Sequence, residues 1–182
     1  ITRVPGLADL IARFEKDEVI IVTTGDGATS EGEFWESLNA ACALGLPVVY
    51  VVQDNGYAIS VPVEVQTAGG NISNLVSGFP GLHIVGCDGT DLVDSHRAAG
   101  EAITYTRHRR RPSLIHASCT RPYSHSLSDD EKLYKSPEER EEESRRDPLP
   151  KFGLFLVREG VLEEKEFAAL EAEVDHEVAE AT

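Results

Sequence analysis

Basic charge is scarce in this chain. Its 182 residues hold 17 Lys and Arg against 32 Asp and Glu, a formal net charge of −15. Such a balance repels nucleic acid and anionic lipid, so neither is expected as a partner. The imbalance is heaviest from Asp129 onward, where 18 acidic residues face 8 basic ones. Cysteine is sparse too. Cys42, Cys87 and Cys119 are odd in number and widely spaced, which excludes a disulfide framework or zinc ribbon and fits a reducing cytoplasm. No apolar run approaches the roughly 18 residues of a membrane span, and no secretory leader is evident. Methionine is absent and the first residue is Ile1, so the chain is expected to be a piece of a longer protein.

What is present is organised around residues 19–60. The β-branched run Val19-Ile20-Ile21-Val22-Thr23-Thr24 reads as a strand buried on both faces, and it ends in Gly25-Asp26-Gly27. Ser30 to Gly45 has helical spacing, with Phe34, Leu38, Ala41 and Cys42 on one face and Gly45 and Pro47 as the stop. Val48-Val49-Tyr50-Val51-Val52 is a second buried strand, followed by the loop Asp54-Asn55-Gly56-Tyr57. This is the length of a right-handed βαβ unit.

If the two strands are parallel neighbours, Asp26 and Asn55 lie just past adjacent carboxyl ends. Ligands bind at that edge of an α/β sheet, and the amino end of the next helix favours an anion. A carboxylate and an amide oxygen suit a hard cation, while the backbone of Gly27, Ala28 and Thr29 suits phosphate. Magnesium takes few protein oxygens and completes its octahedron with phosphate and water. A magnesium diphosphate site follows from these residues.

The remainder of the chain is consistent with one α/β domain over 1–182, a parallel sheet with helices on both faces. Leu7, Leu10, Ile11 and Phe14 mark an amphipathic first helix. Residues 61–81 form an irregular excursion with at most a short helix near Ile72 to Val76, and it reads equally as a functional segment or a variable surface loop. Leu82 to Gly86 and Ser113 to Ala117 are further short strands, joined by a helix capped by Thr90 or Asp91. Asp88 and Asp91 are better explained by turn and cap chemistry than as metal ligands. The run Arg107-His108-Arg109-Arg110-Arg111 complements a helix carboxyl terminus stopped by Pro112, and His96 and His116 stand alone as structural histidines. Arg121 to Asp130 lacks periodicity, so it is a loop beyond a carboxyl strand end. There Arg121 suits diphosphate oxygens, while His125 can donate to a phosphate or move a proton, and taken by itself reads more readily as a surface residue. Pro137 to Arg146 is a charge-dense helix or flexible segment. After Asp147-Pro148, residues 147–182 form a helical extension of two amphipathic helices around Gly160.

Gly25-Asp26-Gly27, twenty-six intervening residues, then Asp54-Asn55 resembles the thiamine diphosphate motif. Asn55-Gly56-Tyr57-Ala58-Ile59-Ser60 resembles the α subunit of 2-oxo acid dehydrogenases, as does the loop from Arg121 through His125-Ser126 and Ser128-Asp129-Asp130 to Tyr134-Lys135-Ser136. The resemblance covers nearly the whole chain and is closest to the branched-chain and pyruvate types. It implies a thiamine diphosphate-binding, Rossmann-like fold. It implies magnesium held by the side chains of Asp26 and Asn55 and the backbone carbonyl of Tyr57, with Gly27, Ala28, Arg121 and His125 toward the cofactor. His125 would also assist acyl transfer to lipoyl.

The implied reaction is oxidative decarboxylation of a 2-oxo acid in a multienzyme complex. Partners would be a β-type subunit or fused β-type half, which supplies the glutamate that activates the cofactor, and a lipoyl-bearing acyltransferase core. The implied assembly is a heterotetramer of two α and two β chains, or a homodimer of fused chains, and this segment alone is expected to be inactive. Asp54 departs from the usual first asparagine, and Gln53 stands where some relatives place a basic residue. Pro122 and Ser124 alter the start of the active loop. A transketolase-like or other thiamine diphosphate enzyme would keep Asp26 and Asn55 without the Arg121 to Asp130 loop, and a noncatalytic assembly module would keep only the fold.

Overall fold

Residues 17–182 are described in the computed structural model of the chain. The amphipathic helix expected around Leu7 to Phe14 lies outside them. Four parallel strands form the sheet: β1 (Ile20–Gly25), β2 (Val48–Asp54), β5 (His83–Asp88) and β6 (Ser113–Ser118), in the order β1-β2-β6-β5. Two short strands, β3 (Tyr57–Ala58) and β4 (Val61–Pro62), pair antiparallel beyond the end of β2. Helix α1 (Gly32–Leu44) connects β1 to β2 and ends at Gly45, whose φ of 64° is the left-handed cap that glycine adopts without strain. The chain then leaves β2, skips one sheet position to β5, and returns through α4 (Leu92–Arg109) to insert β6 between them.

The excursion between β4 and β5 carries two short helices, α2 (Val63–Gln66) and α3 (Ile72–Val76), the second where the sequence allowed one. Alternation along β2 sends its side chains to two cores. Val48, Tyr50 and Val52 pack with Phe34, Leu38 and Ala41 of α1 and with Ile72 and Val76 of α3. Val49 on the other face packs with Val85, Ile115 and the small Ala98 and Ala102 of α4. The sheet therefore has helices on both faces, and the four residues expected on the buried face of α1 are its buried residues.

β1 corrects one expectation. Its sequence reads as a doubly buried strand, yet Ile20 is 60% exposed and Ile21 54%. The reason is position: among the described residues β1 is the sheet edge, paired only with β2, and both cores centre on β2 and β6.

Asp91 caps α4 by accepting from the backbone N–H of Val93 and Asp94, and Asp88 accepts from Thr90. Turn and cap chemistry thus accounts for both carboxylates. Arg107, His108 and Arg109 occupy the last turn of α4, where positive charge suits the helix dipole. Arg110 and Arg111 then tie that end to the carbonyls of Glu18 and Cys42.

The charge-dense run is a helix, α5 (Pro137–Arg145), with Ser136 as its cap. Helices α6 (Pro148–Arg158) and α7 (Glu164–Ala181) follow, and Gly153 leaves room for the Phe167 ring between them. No described helix is long and apolar enough to cross a membrane.

Leu38 is fully buried at the centre of the α1 face. Leu38→Ala is expected to lower unfolding free energy by about 2–5 kcal/mol, measured by urea denaturation of the parent protein. A loss below about 1 kcal/mol would mean that α1 is not packed on β2 as described.

Candidate functional site

The register of the parallel pair sets the site. Gly25 pairs with Gln53, so Asp26 and Asn55 leave the sheet at neighbouring carboxyl ends. The Asp26 N–H donates to the Gln53 carbonyl at 3.3 Å, holding the two exits together. Asp26 then turns the chain into a 3-10 turn over Gly27–Ser30, within which Thr29 Oγ1 donates to the Asp26 carbonyl at 2.6 Å. Gln66 of α2 donates to the same carbonyl at 2.7 Å.

Asp26 is 2% exposed, and its Oδ2 is buried without a hydrogen-bond partner. Burial, and then the nearby charge of Asp54, push its carboxyl above the usual carboxylate range, against the backbone N–H of Asn55 and Gly27, which favour the ion. A buried carboxylate with a free oxygen calls for a counter-charge, since an unpaired buried charge is costly. Gly27 is required by close approach: a Cβ there would lie 2.9 Å from Ala58 Cβ. The bare turn thus keeps the backbone of Gly27 and Ala28 tight against the β3 segment.

On the β2 side, Asn55 Oδ1 accepts from the Tyr57 N–H at 3.2 Å, and Gly56 takes a φ of 81° to make the turn. The Tyr57 hydroxyl donates to Glu139 of α5 at 2.6 Å, and that bond pushes its ionisation up to about 12. Ile59 has a φ of 59°, an unusual conformation for a β-branched residue. Its carbonyl accepts from Arg121 Nη1 at 2.8 Å. Arg121 Nη2 donates to the Tyr134 hydroxyl at 2.6 Å, while its Nε is buried and unpartnered. Tyr134 in turn donates to Asp129, which also accepts from the His125 backbone N–H. Buried Lys135 sits 5.1 Å from the Tyr57 ring centre and pairs with Glu143.

These contacts bring together most of the residues selected from the sequence. Asn55 and Arg121 line one cavity of about 460 Å³ with Gln53, Thr90, Cys119 and Tyr123. Asn55 and Tyr57 line a second of about 330 Å³, rimmed by Glu64, Glu139 and Glu143. Asp26, Gly27, Ala28 and His125 line neither, and His125 is exposed on its loop.

Sequence reasoning gave no role at the site to Gln66, Ser73, His116 or Lys135. His116 is not alone: its Nε2 donates to Asp54 at 2.8 Å. Burial raises the Asp54 carboxyl, but the His116 hydrogen bond, the Gly56 N–H and the histidine's charge together draw it below the ordinary range. No local signal marks these residues, because each acts across a sequence gap; only the parity of β2 and β6 would have put His116 on the Asp54 side.

The shifted carboxyl of Asp26 yields a pH signature. A raised folded-state value means that the folded protein holds the proton more tightly, so stability is lost as pH rises from about 4 through the Asp26 transition. Asp26→Asn is therefore expected to stabilise the cation-free protein at pH 7 and to make little difference at pH 3.5. Thermal melts at the two values check this, and equal melting shifts at both would contradict it.

Comparison with known proteins bears on the family of the chain. The α subunit of 3-methyl-2-oxobutanoate dehydrogenase from Mycobacterium tuberculosis (strain CDC 1551 / Oshkosh) is 36% identical over 158 residues, 86% of this chain and 42% of the relative. The α subunit of acetoin:2,6-dichlorophenolindophenol oxidoreductase from Cupriavidus necator is 37% identical over 180 residues, 96% of this chain and 54% of the relative. The pyruvate dehydrogenase E1 component subunit α from Acholeplasma laidlawii is 35% identical over 174 residues, 95% and 50% of the two chains. The chain spans about half the length of these curated relatives. The family described as dehydrogenase E1 component matches residues 2–182, and with the Asp26–Asn55 edge already in view, the chain belongs to that family.

Proposed function

We propose that this chain is the diphosphate-anchoring part of an α-type E1 component that decarboxylates a 2-oxo acid with thiamine diphosphate and magnesium. The observation that carries the reading is the buried Asp26 carboxylate, one oxygen unpartnered, beside Asn55 at the carboxyl edge of a parallel sheet. This donor set fits a hard cation: a carboxylate oxygen, the Asn55 amide oxygen and the Tyr57 backbone carbonyl, with water and diphosphate to complete it. Among the described residues no cluster of three His, Cys, Asp or Glu competes for a metal.

Thiamine diphosphate, when bound, supplies the thiazolium that stabilises the carbanion of decarboxylation. The chain's own residues then have separate tasks. Asp26, Asn55 and Tyr57 hold the cation. Gly27 and Ala28 present backbone N–H groups to the diphosphate, and Arg121 adds a guanidinium that stays charged at all working pH. His125, exposed on its loop, moves a proton during acyl transfer to lipoyl.

A β-type subunit or fused half completes the site, and a lipoyl-bearing acyltransferase core receives the acyl group. The Mycobacterium and Acholeplasma names favour branched-chain 2-oxo acids and pyruvate as substrates. The Cupriavidus name favours a second reading, oxidation of acetoin at the same site.

Turnover by the full-length parent protein, with any separate β-type partner, tests the proposal. With an artificial electron acceptor, magnesium and thiamine diphosphate, at least one of 3-methyl-2-oxobutanoate, pyruvate and 2-oxoglutarate is expected to be oxidised. Asn55→Ala is expected to raise the half-saturating cofactor concentration at least tenfold. Turnover of acetoin alone would select the second reading. A folded, complete assembly that binds no thiamine diphosphate would leave a noncatalytic module.

A further inference from the structure

Three side chains outside the expected ligand set form a strut behind the Asn55 turn. Ser73 of α3 places Oγ 2.8 Å from Nδ1 of His116, and His116 Nε2 donates to Asp54 Oδ2 at 2.8 Å. The second Asp54 oxygen accepts from the Gly56 N–H at 2.9 Å. Hydrogen bonds thus run unbroken from the 61–81 excursion, through the middle of the sheet, to the backbone between Asn55 and Tyr57.

The strut is sheltered: the side chains of His116 and Asp54 are 10% and 13% exposed. Its geometry is over-determined as well. Both carboxylate oxygens of Asp54 are engaged, both ring nitrogens of His116 are engaged, and α3 is pinned by the buried Ile72 and Val76 on either side of Ser73. Gly56 has a positive φ, so its N–H points where it does only while the turn is held. The same excursion reaches the other side of the edge, where Gln66 fixes the Asp26 carbonyl.

We infer that Ser73, His116 and Asp54 are positioning residues that fix the Asn55–Tyr57 turn in its cation-binding form, so that the 61–81 excursion acts on the cofactor site without touching the cofactor. This rests on the cofactor reading given above. Misplacing a ligand by a fraction of an ångström is costly, so a rigid support behind the turn sets affinity. The strut touches neither substrate nor reacting atoms, so its loss should weaken cofactor binding and leave the chemical step intact at saturation.

The test uses the full-length parent assembly with His116→Ala, Asp54→Ala, their double variant, Ser73→Ala and the conservative His116→Gln. Hydrogen exchange over residues 53–60 without cofactor is expected to speed up at least tenfold in the single alanine variants at 54 and 116, with partial recovery in His116→Gln. Half-saturation by magnesium thiamine diphosphate should rise about tenfold, with kcat at saturation within twofold. The double variant should be no worse than the weaker single, because the residues act as one unit. If His116→Ala does not fold, Ser73→Ala and His116→Gln carry the same comparison with smaller shifts.

Unchanged exchange and half-saturation in folded variants would overturn the positioning role, as would losses that multiply in the double variant. Wild-type binding with unaffected variants overturns the strut alone. A wild-type assembly that binds no magnesium thiamine diphosphate overturns the cofactor reading and the strut's role with it, whatever the loop exchange does.

Discussion

A carboxylate held away from water with one oxygen unclaimed is the constraint on which this architecture turns. Asp26 stands at the end of β1, almost wholly buried, and its neighbour across the strand pair is a second carboxylate, Asp54. Two such groups side by side are unfavourable unless each is given positive partners. Asp54 has His116 and the Gly56 N–H. Asp26 has the N–H groups of its own turn and of Asn55, and among the described residues its Oδ2 has no partner. The fold keeps one of the two satisfied and leaves the other with an unpartnered oxygen.

The surroundings of that edge serve to hold it still. Gly27 lets the turn approach Ala58, Gln66 bonds its carbonyl, and the β3–β4 pair closes the exit from β2. Arg121 is drawn onto the same backbone through the Ile59 carbonyl and lies against the rings of both Tyr57 and Tyr134. Guanidinium, aromatic faces and acidic partners form a contiguous network here, satisfied except at the buried Nε of Arg121.

Much of the architecture is legible in the sequence alone. The buried face of α1, the short helix at Ile72–Val76, the cap at Asp91 and the glycine turn follow from periodicity and local hydrogen-bonding chemistry, which act over four residues or fewer. The edge position of β1 was not legible, because a β-branched run states what a strand could bury and says nothing of how many neighbours it has. The partnership of His116 with Asp54 was equally hidden. Sixty-two residues separate them, and they meet only because the chain skips a sheet position and returns.

The hydroxyl of Tyr57 reaches Glu139 on α5, while its backbone belongs to the Asn55 turn. One residue is therefore a mechanical joint between two segments more than eighty positions apart. Linkage makes the joint reciprocal: whatever lowers the free energy of the turn's ordered form favours a docked α5 by the same amount, and a docked α5 returns the gain to the turn. The acidic helix, distant in sequence from the glycine-aspartate turn, thereby shares in setting how firmly the Asn55 turn is ordered.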